Sequence, residues 1–385
     1  MAKNIKVTIK AKEKTSITED LGELELGDFT IFAGENNAGK TNLIKVIIEE
    51  LEKQKINIIN IPAERVLPDV EIKVGADKDP FKIAVAELLD VTFDDSKLIK
   101  SLVNDIEKLL PEEFSKYNIE KMELSAKTKS IPNEDYIKAI KDVYIKKIID
   151  SITMKDCYCN KDGIKLSEVG QGTQRLIIAS LLKYLGDKKG SKFSSKLTYI
   201  IFEEPEIYLH PKLKESLFNS LCEIVDKNNN IKIIITTHDP YFIELGKDFT
   251  IYKVDRFGKN NSTRFNLIGN GQLLPYKSSA EINYFIFNIP THTYFLEIYE
   301  YLKDMYILKD NKGIYVSYKK FDDDLSNINK LKQVEKDDNG GDISFITKLR
   351  HNFAHIKSDS SIKYFNKNGK NAIEELIKYK ILKKY

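Results

Sequence analysis

A loop bounded by glycines and ending in Lys-Thr lies between an apolar strand pattern and a helical pattern near the start of the chain. The loop reads Gly34-Glu35-Asn36-Asn37-Ala38-Gly39-Lys40-Thr41, after Phe29-Thr30-Ile31-Phe32-Ala33 and before a helical pattern over residues 42–51. Glycines let successive backbone N–H groups point at a phosphate, and the helix that follows adds the positive end of its dipole. This setting distinguishes the loop from a chance glycine turn and predicts a phosphate-binding P-loop on an α/β sheet.

The side chains of this loop have predicted roles in binding a nucleotide. We expect Lys40 to reach the β- and γ-phosphates of ATP, and Thr41 to hold Mg²⁺. The residues expected to contact ATP are Gly34, Asn36, Asn37, Gly39, Lys40, Thr41 and Asn42.

Two carboxylates follow the apolar run Leu197-Thr198-Tyr199-Ile200-Ile201-Phe202. A strand buried in the sheet holds such acids rigidly beside a P-loop. We therefore expect Glu203 to bind Mg²⁺, and Glu204 to orient and deprotonate the water that attacks the γ-phosphate. A solvated strand end is the alternative, but the P-loop upstream and the segment Pro205-Glu206-Ile207-Tyr208-Leu209-His210-Pro211 favour the catalytic interpretation.

A second apolar run, Ile233-Ile234-Ile235-Thr236-Thr237, ends at His238. A neutral imidazole there can hydrogen-bond to the γ-phosphate or to the attacking water, although a helix-capping histidine is the plainer alternative. Upstream, the segment Leu166-Ser167-Glu168-Val169-Gly170-Gln171-Gly172-Thr173-Gln174-Arg175 places two glycines and a hydroxyl just before a helical pattern. Such a helix start predicts another anion site.

Strand and helix patterns alternate along the first two thirds of the chain, as in a doubly wound sheet. We expect this domain to cover residues 1–275, with a helical insertion over about residues 69–160 that is too short for long coiled-coil arms. Predicted helices in the insertion cover residues 81–89, 96–110 and 133–152. A mostly helical domain is predicted over residues 276–385, with an acidic exposed loop at 335–342.

Composition excludes several classes of protein. Hydrophobic residues make up 42% and charged residues 31%, which is typical of a globular chain and not of a disordered one. No apolar run approaches the roughly 18 residues that span a bilayer, and the start lacks an apolar signal segment, so we expect a cytoplasmic protein without a membrane partner. Its three cysteines, Cys157, Cys159 and Cys222, predict reduced thiols and neither a disulfide framework nor a zinc site.

The order of these motifs resembles the ABC-type ATPase superfamily, and within it the bacterial OLD-like and RecF-like branch. The resemblance covers about residues 5–270 and rests on the P-loop and three further segments: Pro62-Ala63-Glu64-Arg65, Gly170-Gln171-Gly172-Thr173-Gln174-Arg175 and Glu204-Pro205-Glu206-Ile207-Tyr208-Leu209-His210-Pro211. It implies an α/β P-loop NTPase fold of the ABC-ATPase type. It also implies a homodimer or higher oligomer in which Ser167, Gly170 and Gly172 contact ATP bound by a second copy.

Two departures from the family pattern are visible. The signature is not the usual Leu-Ser-Gly-Gly-Gln, so which hydroxyl meets the γ-phosphate stays open. No glutamine follows the strand pattern at 56–61 to serve as the family's Q-loop, and that role is left unassigned.

Near the end of the chain, Arg350-His351-Asn352-Phe353-Ala354-His355 resembles the HEPN ribonuclease motif. The resemblance implies paired helical bundles that cut RNA without metal, with His355 moving a proton and Arg350 neutralising charge on the phosphorane. Residues five apart on a helix point about 140° apart, so one chain makes a complete site only if the helix ends there or two copies meet. An ordinary helix with a surface arginine and histidine is the alternative.

The charge of this region bears on the choice between a ribonuclease site and an ordinary surface helix. Residues 343–385 carry ten Lys or Arg and three Asp or Glu, a balance of +7 that suits RNA or, equally, a solvated Lys-rich face.

The resulting hypothesis is an ATPase that uses ATP to control a C-terminal HEPN ribonuclease acting on tRNA or another structured RNA. The resemblance implies a role in abortive infection and phage defence, with a possible partner protein from the same defence system. Two alternatives stay open: a DNA repair or maintenance ATPase with a structural tail, and an ATPase sensor subunit that regulates a separate toxin or nuclease.

Overall fold

The computed structural model divides the chain into two compact units, Met1–Leu267 and Ile268–Tyr385. The described residues are 5–13, 15–62, 122–126, 152–156, 161–165, 171–187, 196–258, 260–269, 273–310, 320–325, 334–336, 342–354 and 359–383.

The first unit contains strands from a central sheet and from two smaller sheets. In chain order they are β1 (Ile5–Ile9), β2 (Gly22–Leu26), β3 (Phe29–Ala33), β4 (Asn57–Ile61), β5 (Met122–Ala126), β6 (Ile152–Asp156), β7 (Lys161–Lys165), β8 (Thr198–Glu203), β9 (Ile231–Thr237), β10 (Thr250–Phe257) and β11 (Ser262–Ile268). Its helices are α1 (Lys40–Lys53), α2 (Gln171–Asp187), α3 (Pro211–Lys227) and α4 (Pro240–Leu245).

The central sheet has the strand order β11-β10-β3-β9-β8-β4, and neighbours from β10 to β4 run parallel. Every residue of β3, β8 and β9 is buried. Strands covered on both faces read as continuous apolar runs, and this explains why the sequence pattern located all three. The predicted P-loop α/β fold is confirmed at this level, and the parallel order brings the carboxyl ends of β3, β9 and β8 side by side.

The described part of the insertion differs from the prediction. Strands β5, β6 and β7 form an antiparallel three-stranded sheet, so the prediction of helix is wrong at Ile152 and the insertion is not wholly helical. Both β5 and β6 alternate apolar and polar residues in short runs, a period-2 signal that the longer charged helical pattern around them obscured. The predicted helices at 81–89 and 96–110 lie outside the described residues.

The second unit is mainly helical. Its helices are α5 (Ser279–Phe287), α6 (His292–Asp310), α7 (Phe345–Ala354) and α8 (Asp359–Lys383), and residues 320–325 are also helical. The acidic segment predicted as a loop instead contributes its ends to a hairpin of β12 (Val334–Lys336) and β13 (Asp342–Ser344).

An aromatic core holds the helices of this unit together. Tyr299, Phe321 and Tyr379 are fully buried in one cluster that also contains Ile346 and Leu349 of α7. In the part of the chain that the structure describes, no helix is both long and apolar enough to cross a membrane.

Candidate active site

The P-loop joins β3 to α1 with a glycine in a left-handed conformation at its end. Gly39 has φ 98° and precedes Lys40, the first residue of α1. A Cβ at Gly39 would lie 1.9 Å from Thr263 Oγ1, so glycine is required by both conformation and space. The Thr263 hydroxyl is 2.6 Å from Ser16 Oγ. Strand β11 and the segment after β1 therefore brace the loop from outside.

Two more side chains fix the loop. Asn42 Nδ2 donates to Ser16 Oγ at 2.8 Å, and Arg256 Nε donates to the carbonyl of Asn37 at 2.9 Å. In this conformation the Asn42 amide therefore braces the loop, whereas Glu35, Asn36 and Asn37 are exposed at its tip.

Lys40 is buried and lies inside the loop. Its Nζ donates to the carbonyl oxygens of Gly34 at 2.9 Å and Glu35 at 3.0 Å. Burial lowers the pKa of Lys40, and the carboxylates of Glu204 and Glu206 oppose that change. An ammonium group has three N–H donors, so one remains to meet a phosphate oxygen.

Glu204 stands at the carboxyl end of β8, beside the P-loop lysine. Its Oε1 is 3.9 Å from Lys40 Nζ. The residue has φ 46°, an unusual conformation for a side chain with a Cβ, and its backbone N–H donates to Thr236 O at 2.9 Å and Oγ1 at 3.1 Å. Strain of this kind concentrates at functional sites, where the surrounding structure enforces it. Here β9 enforces it.

His238 follows β9 and lies between two acids. Its Nδ1 is 3.5 Å from Glu204 Oε1 and 3.6 Å from Glu206 Oε1. Glu206 is almost fully buried and accepts from Thr237 Oγ1 at 2.7 Å and from the His238 N–H at 3.1 Å. Burial raises the pKa of Glu206 more than these bonds lower it. Since Nδ1 is buried while 36% of the His238 side chain is exposed, the accessible part of the ring is the edge away from Glu206.

Glu203 is buried between the start of α1 and the neighbouring strand β4. Burial raises the pKa of Glu203, and the nearby side chains of Thr41 and Asn60 favour its charged form and partly oppose that change. The Oδ1 atom of Asn60 is itself buried and has no protein partner among the described residues. A hydroxyl, a carboxylate and a free amide oxygen form an oxygen-rich set that fits Mg²⁺.

Arg175 of α2 supports both acids from behind. It is fully buried, and its Nη1 donates to the carbonyl oxygens of Glu203 at 3.2 Å and Glu204 at 2.7 Å. Burial lowers the pKa of Arg175, while Glu206 and Glu204 favour its charged form. The helix that follows the signature segment is thus hydrogen-bonded to the turn that carries the expected catalytic carboxylate.

Of the three predicted signature residues, only Gly172 is described; Ser167 and Gly170 lie outside the described residues. Gly172 belongs to α2, and a Cβ there would lie 2.6 Å from the carbonyl oxygen of Tyr208. A glycine at this position therefore has a reason within one chain, the close approach of α2 to the segment after β8.

In the second unit, Arg350 lies on α7 and pairs with Glu300 of α6. Its Nε and one terminal nitrogen are each 3.1 Å from Glu300 Oε1. Both side chains are about one third exposed, with relative side-chain accessibilities of 30% and 37%. His355 lies just after α7 and outside the described residues, so its distance to Arg350 is not defined.

Three residues of the site were not identified from the sequence: Asn60, Arg175 and Glu206. Glu206 lies within a quoted motif and Arg175 ends another, so their positions were visible but their contacts were not. The sequence indicates Asn60 in one way: it is a polar residue between Ile59 and Ile61, near the end of a predicted strand. That signal becomes informative only when β4 is known to neighbour β8.

Comparison with known proteins gives one match to a family model. A family model described as an AAA ATPase domain matches residues 76–243. That range includes β8, β9 and their acidic and histidine termini and begins after the P-loop. Together with the P-loop at β3, the match supports an ATPase.

The more specific similarities are to OLD proteins. The chain is 35% identical over 83 residues to an OLD nuclease of Thermus scotoductus, covering 21% of this chain and 14% of that protein. It is 32% identical over 82 residues to the endonuclease GajA of Bacillus cereus, covering 20% and 12%. It is 27% identical over 181 residues to the Old nuclease of Escherichia phage P2, covering 46% and 30%. These matches support an OLD-like ATPase and span less than a third of each relative.

Among solved structures, an Smc head bound to the C-terminal winged-helix domain of ScpA aligns with a TM-score of 0.44 and 11% identity, covering 70% of this chain and 98% of that one.

Proposed function

We propose that the first unit binds and hydrolyses ATP. The observation that carries this proposal is the convergence of Lys40, Glu204 and His238 at the carboxyl ends of neighbouring parallel strands. A cation for phosphate and a carboxylate for water are groups that phosphoryl transfer uses, and the imidazole of His238 lies 3.5 Å from that carboxylate.

Each residue then has a defined task. Lys40 holds the β- and γ-phosphates with its remaining donor, and Glu204 orients the attacking water and accepts its proton. His238 contacts the γ-phosphate or that water through its exposed edge, while Glu206 fixes the position of the imidazole ring. Thr41 and Glu203 would hold Mg²⁺, which would neutralise charge on the phosphate oxygens.

A second copy of the chain would complete the site around the bound ATP. The proposal assigns Ser167, Gly170 and Gly172 of one protomer to the nucleotide of the other. A homodimer, or a larger oligomer built from such dimers, is the resulting assembly.

Replacing Lys40 with alanine tests the nucleotide site. Loss of its charged hydrogen bonds to phosphate is expected to weaken ATP affinity by about 10- to 100-fold. Fluorescent-nucleotide titration measures this, with Lys53→Ala as control because Lys53 is an exposed lysine in the last turn of the same helix. Equal affinities for the two variants would contradict the proposal.

For the second unit we propose RNA cleavage controlled by the ATPase, with Arg350 and His355 in the roles described above and tRNA or another structured RNA as substrate. The partly exposed Arg350 and the basic balance of residues 343–385 support it. In this arrangement Glu300 holds the guanidinium in a defined direction until a phosphate competes for it.

Incubation of the purified chain with total tRNA, with and without ATP, tests this second activity. We expect fragments that disappear in Arg350→Ala and in His355→Ala, because each change removes one of the two groups that cleavage needs. Lys378→Ala, an exposed basic residue on α8, serves as the control for loss of charge alone. Cleavage that survives both changes would rule out this ribonuclease site.

A DNA-related or phage-defence ATPase of the OLD-like class is the second candidate. The observation that favours it is the similarity to proteins named as OLD nucleases and as an endonuclease. In this case the second unit is structural, or the ATPase regulates a separate nuclease or toxin. DNA substrates in the same assay distinguish the candidates: ATP turnover stimulated by DNA, without RNA fragments, favours the second.

A further inference from the structure

The amide of Asn60 occupies an unusual place for a polar side chain. Asn60 belongs to β4, where its backbone pairs with that of Ile201 in β8. Its neighbours Ile59 and Ile61 are buried apolar residues of the core. Its Oδ1 atom is buried and accepts no hydrogen bond from the described protein atoms. A buried carbonyl oxygen without a donor is unfavourable, and native structures rarely keep one without a water or an ion to satisfy it.

The surroundings of Asn60 indicate what satisfies this oxygen. Its side chain lies beside Glu203 and favours the charged form of that carboxyl, as does the side chain of Thr41. A carboxylate accepts hydrogen bonds, so Nδ2 is the group of Asn60 that can favour its charge, and Oδ1 is left as an acceptor. The unused oxygen thus lies beside the carboxylate and hydroxyl to which the proposed function assigns Mg²⁺.

We propose that Asn60 is a positioning residue of the metal site, with Nδ2 orienting Glu203 and Oδ1 accepting a hydrogen bond from a water bound to the divalent cation. This inference rests on the proposed ATPase function. Magnesium keeps several of its waters in protein sites, and such waters need acceptors in a fixed direction. Loss of a residue that orients a metal ligand in this way typically weakens metal affinity by about 10- to 100-fold. Strand β4 thereby supplies a side chain of the metal site that lies outside the sequence motifs.

Metal affinity separates this role from a purely structural one. The experiment titrates Mn²⁺, followed by electron paramagnetic resonance, into the full chain saturated with a non-hydrolysable ATP analogue. Asn60→Ala removes both the donor and the acceptor and is expected to weaken Mn²⁺ binding by about 10- to 100-fold. Affinity for the analogue in EDTA, where no metal is bound, is expected to equal that of the wild type.

Asn57→Ala is the matched control, because Asn57 is an exposed asparagine at the other end of the same strand. It is expected to bind Mn²⁺ as the wild type does. Asn60→Val removes the same two polar groups, fills more of the space and suits a strand, so its Mn²⁺ affinity is expected to fall as that of Asn60→Ala does. This variant decides the question if Asn60→Ala does not fold, as judged by circular dichroism.

The proposal is overturned if Asn60→Ala binds Mn²⁺ as tightly as Asn57→Ala, which would make the partner of Oδ1 a structural water. Equal weakening of analogue binding with and without metal would also overturn it, as would wild-type Mn²⁺ affinity in Asn60→Val. Failure of the ATPase function itself is distinguishable, because the wild type and Asn57→Ala would then both lack nucleotide-dependent Mn²⁺ binding.

Discussion

Glu204→Gln is expected to lower the rate of ATP turnover by about 1000-fold while leaving ATP affinity close to that of the wild type. Glutamine has the size and shape of glutamate, so it fills the same space, but it cannot accept a proton from water. Lys40 is 3.9 Å from Glu204 Oε1 and hydrogen-bonds to P-loop carbonyls through other donors. Loss of the negative charge therefore does not remove the lysine from its position, and phosphate binding persists.

Phosphate release and fluorescent-nucleotide titration measure the two quantities separately. Glu244→Gln makes the same chemical change at an exposed position of α4 and controls for general effects. Dimers that accumulate with ATP in Glu204→Gln and not in the control would also support completion of the site by a second copy. Turnover at the control rate in Glu204→Gln would remove this residue as the base.

The strands that carry the site were predictable because each is a continuous apolar run with an informative end. Strand β9, Ile231–Thr237, contains the apolar run that precedes His238, and β8 agrees with the predicted run within one residue at each end. Buried parallel strands need apolar side chains on both faces, so their pattern differs clearly from that of the surrounding chain. The glycine loop, the paired acids and the histidine follow these runs directly, which made the candidate residues visible as well.

The order of the strands was not predictable from the same patterns. Whether β9 or β8 lies beside β3 depends on pairing between segments separated by about two hundred residues in sequence, which local periodicity does not encode. That order places His238 between the P-loop and Glu204. It also places Asn60 of β4 against Glu203, a contact that no motif records.

In the insertion, the local sequence pattern did not predict even the type of secondary structure. Strands β5 and β6 have five residues each, too few for alternation to outweigh long charged segments with apolar residues at helical spacing. Their pairing with each other stabilises them, and tertiary pairing of this kind overrides local propensity. The pairing of β12 with β13 likewise overrides the loop predicted at 335–342.

Arg175→Met is expected to lower the free energy of unfolding by about 2 to 6 kcal/mol, since each buried carbonyl left without its donor costs about 1 to 3 kcal/mol. Methionine keeps much of the side-chain volume of arginine and therefore limits the cavity. The lost bonds include those from Nη1 to the carbonyl oxygens of Glu203 and Glu204. Arg264→Met is the control, because Arg264 is partly exposed, and its loss is expected to change stability by about 0.5 kcal/mol or less.

Urea unfolding measures the stability change, and ATP turnover at low temperature, where Arg175→Met remains folded, measures the effect on the site. The two carbonyls belong to the residues proposed to hold the metal and to activate water, so their release should let the Glu204 side chain move away from Lys40. Turnover should then fall further than the folded fraction does. Turnover that tracks the folded fraction would instead make Arg175 a residue of the core alone, and α2 would have no means of influencing the catalytic carboxylate through this contact.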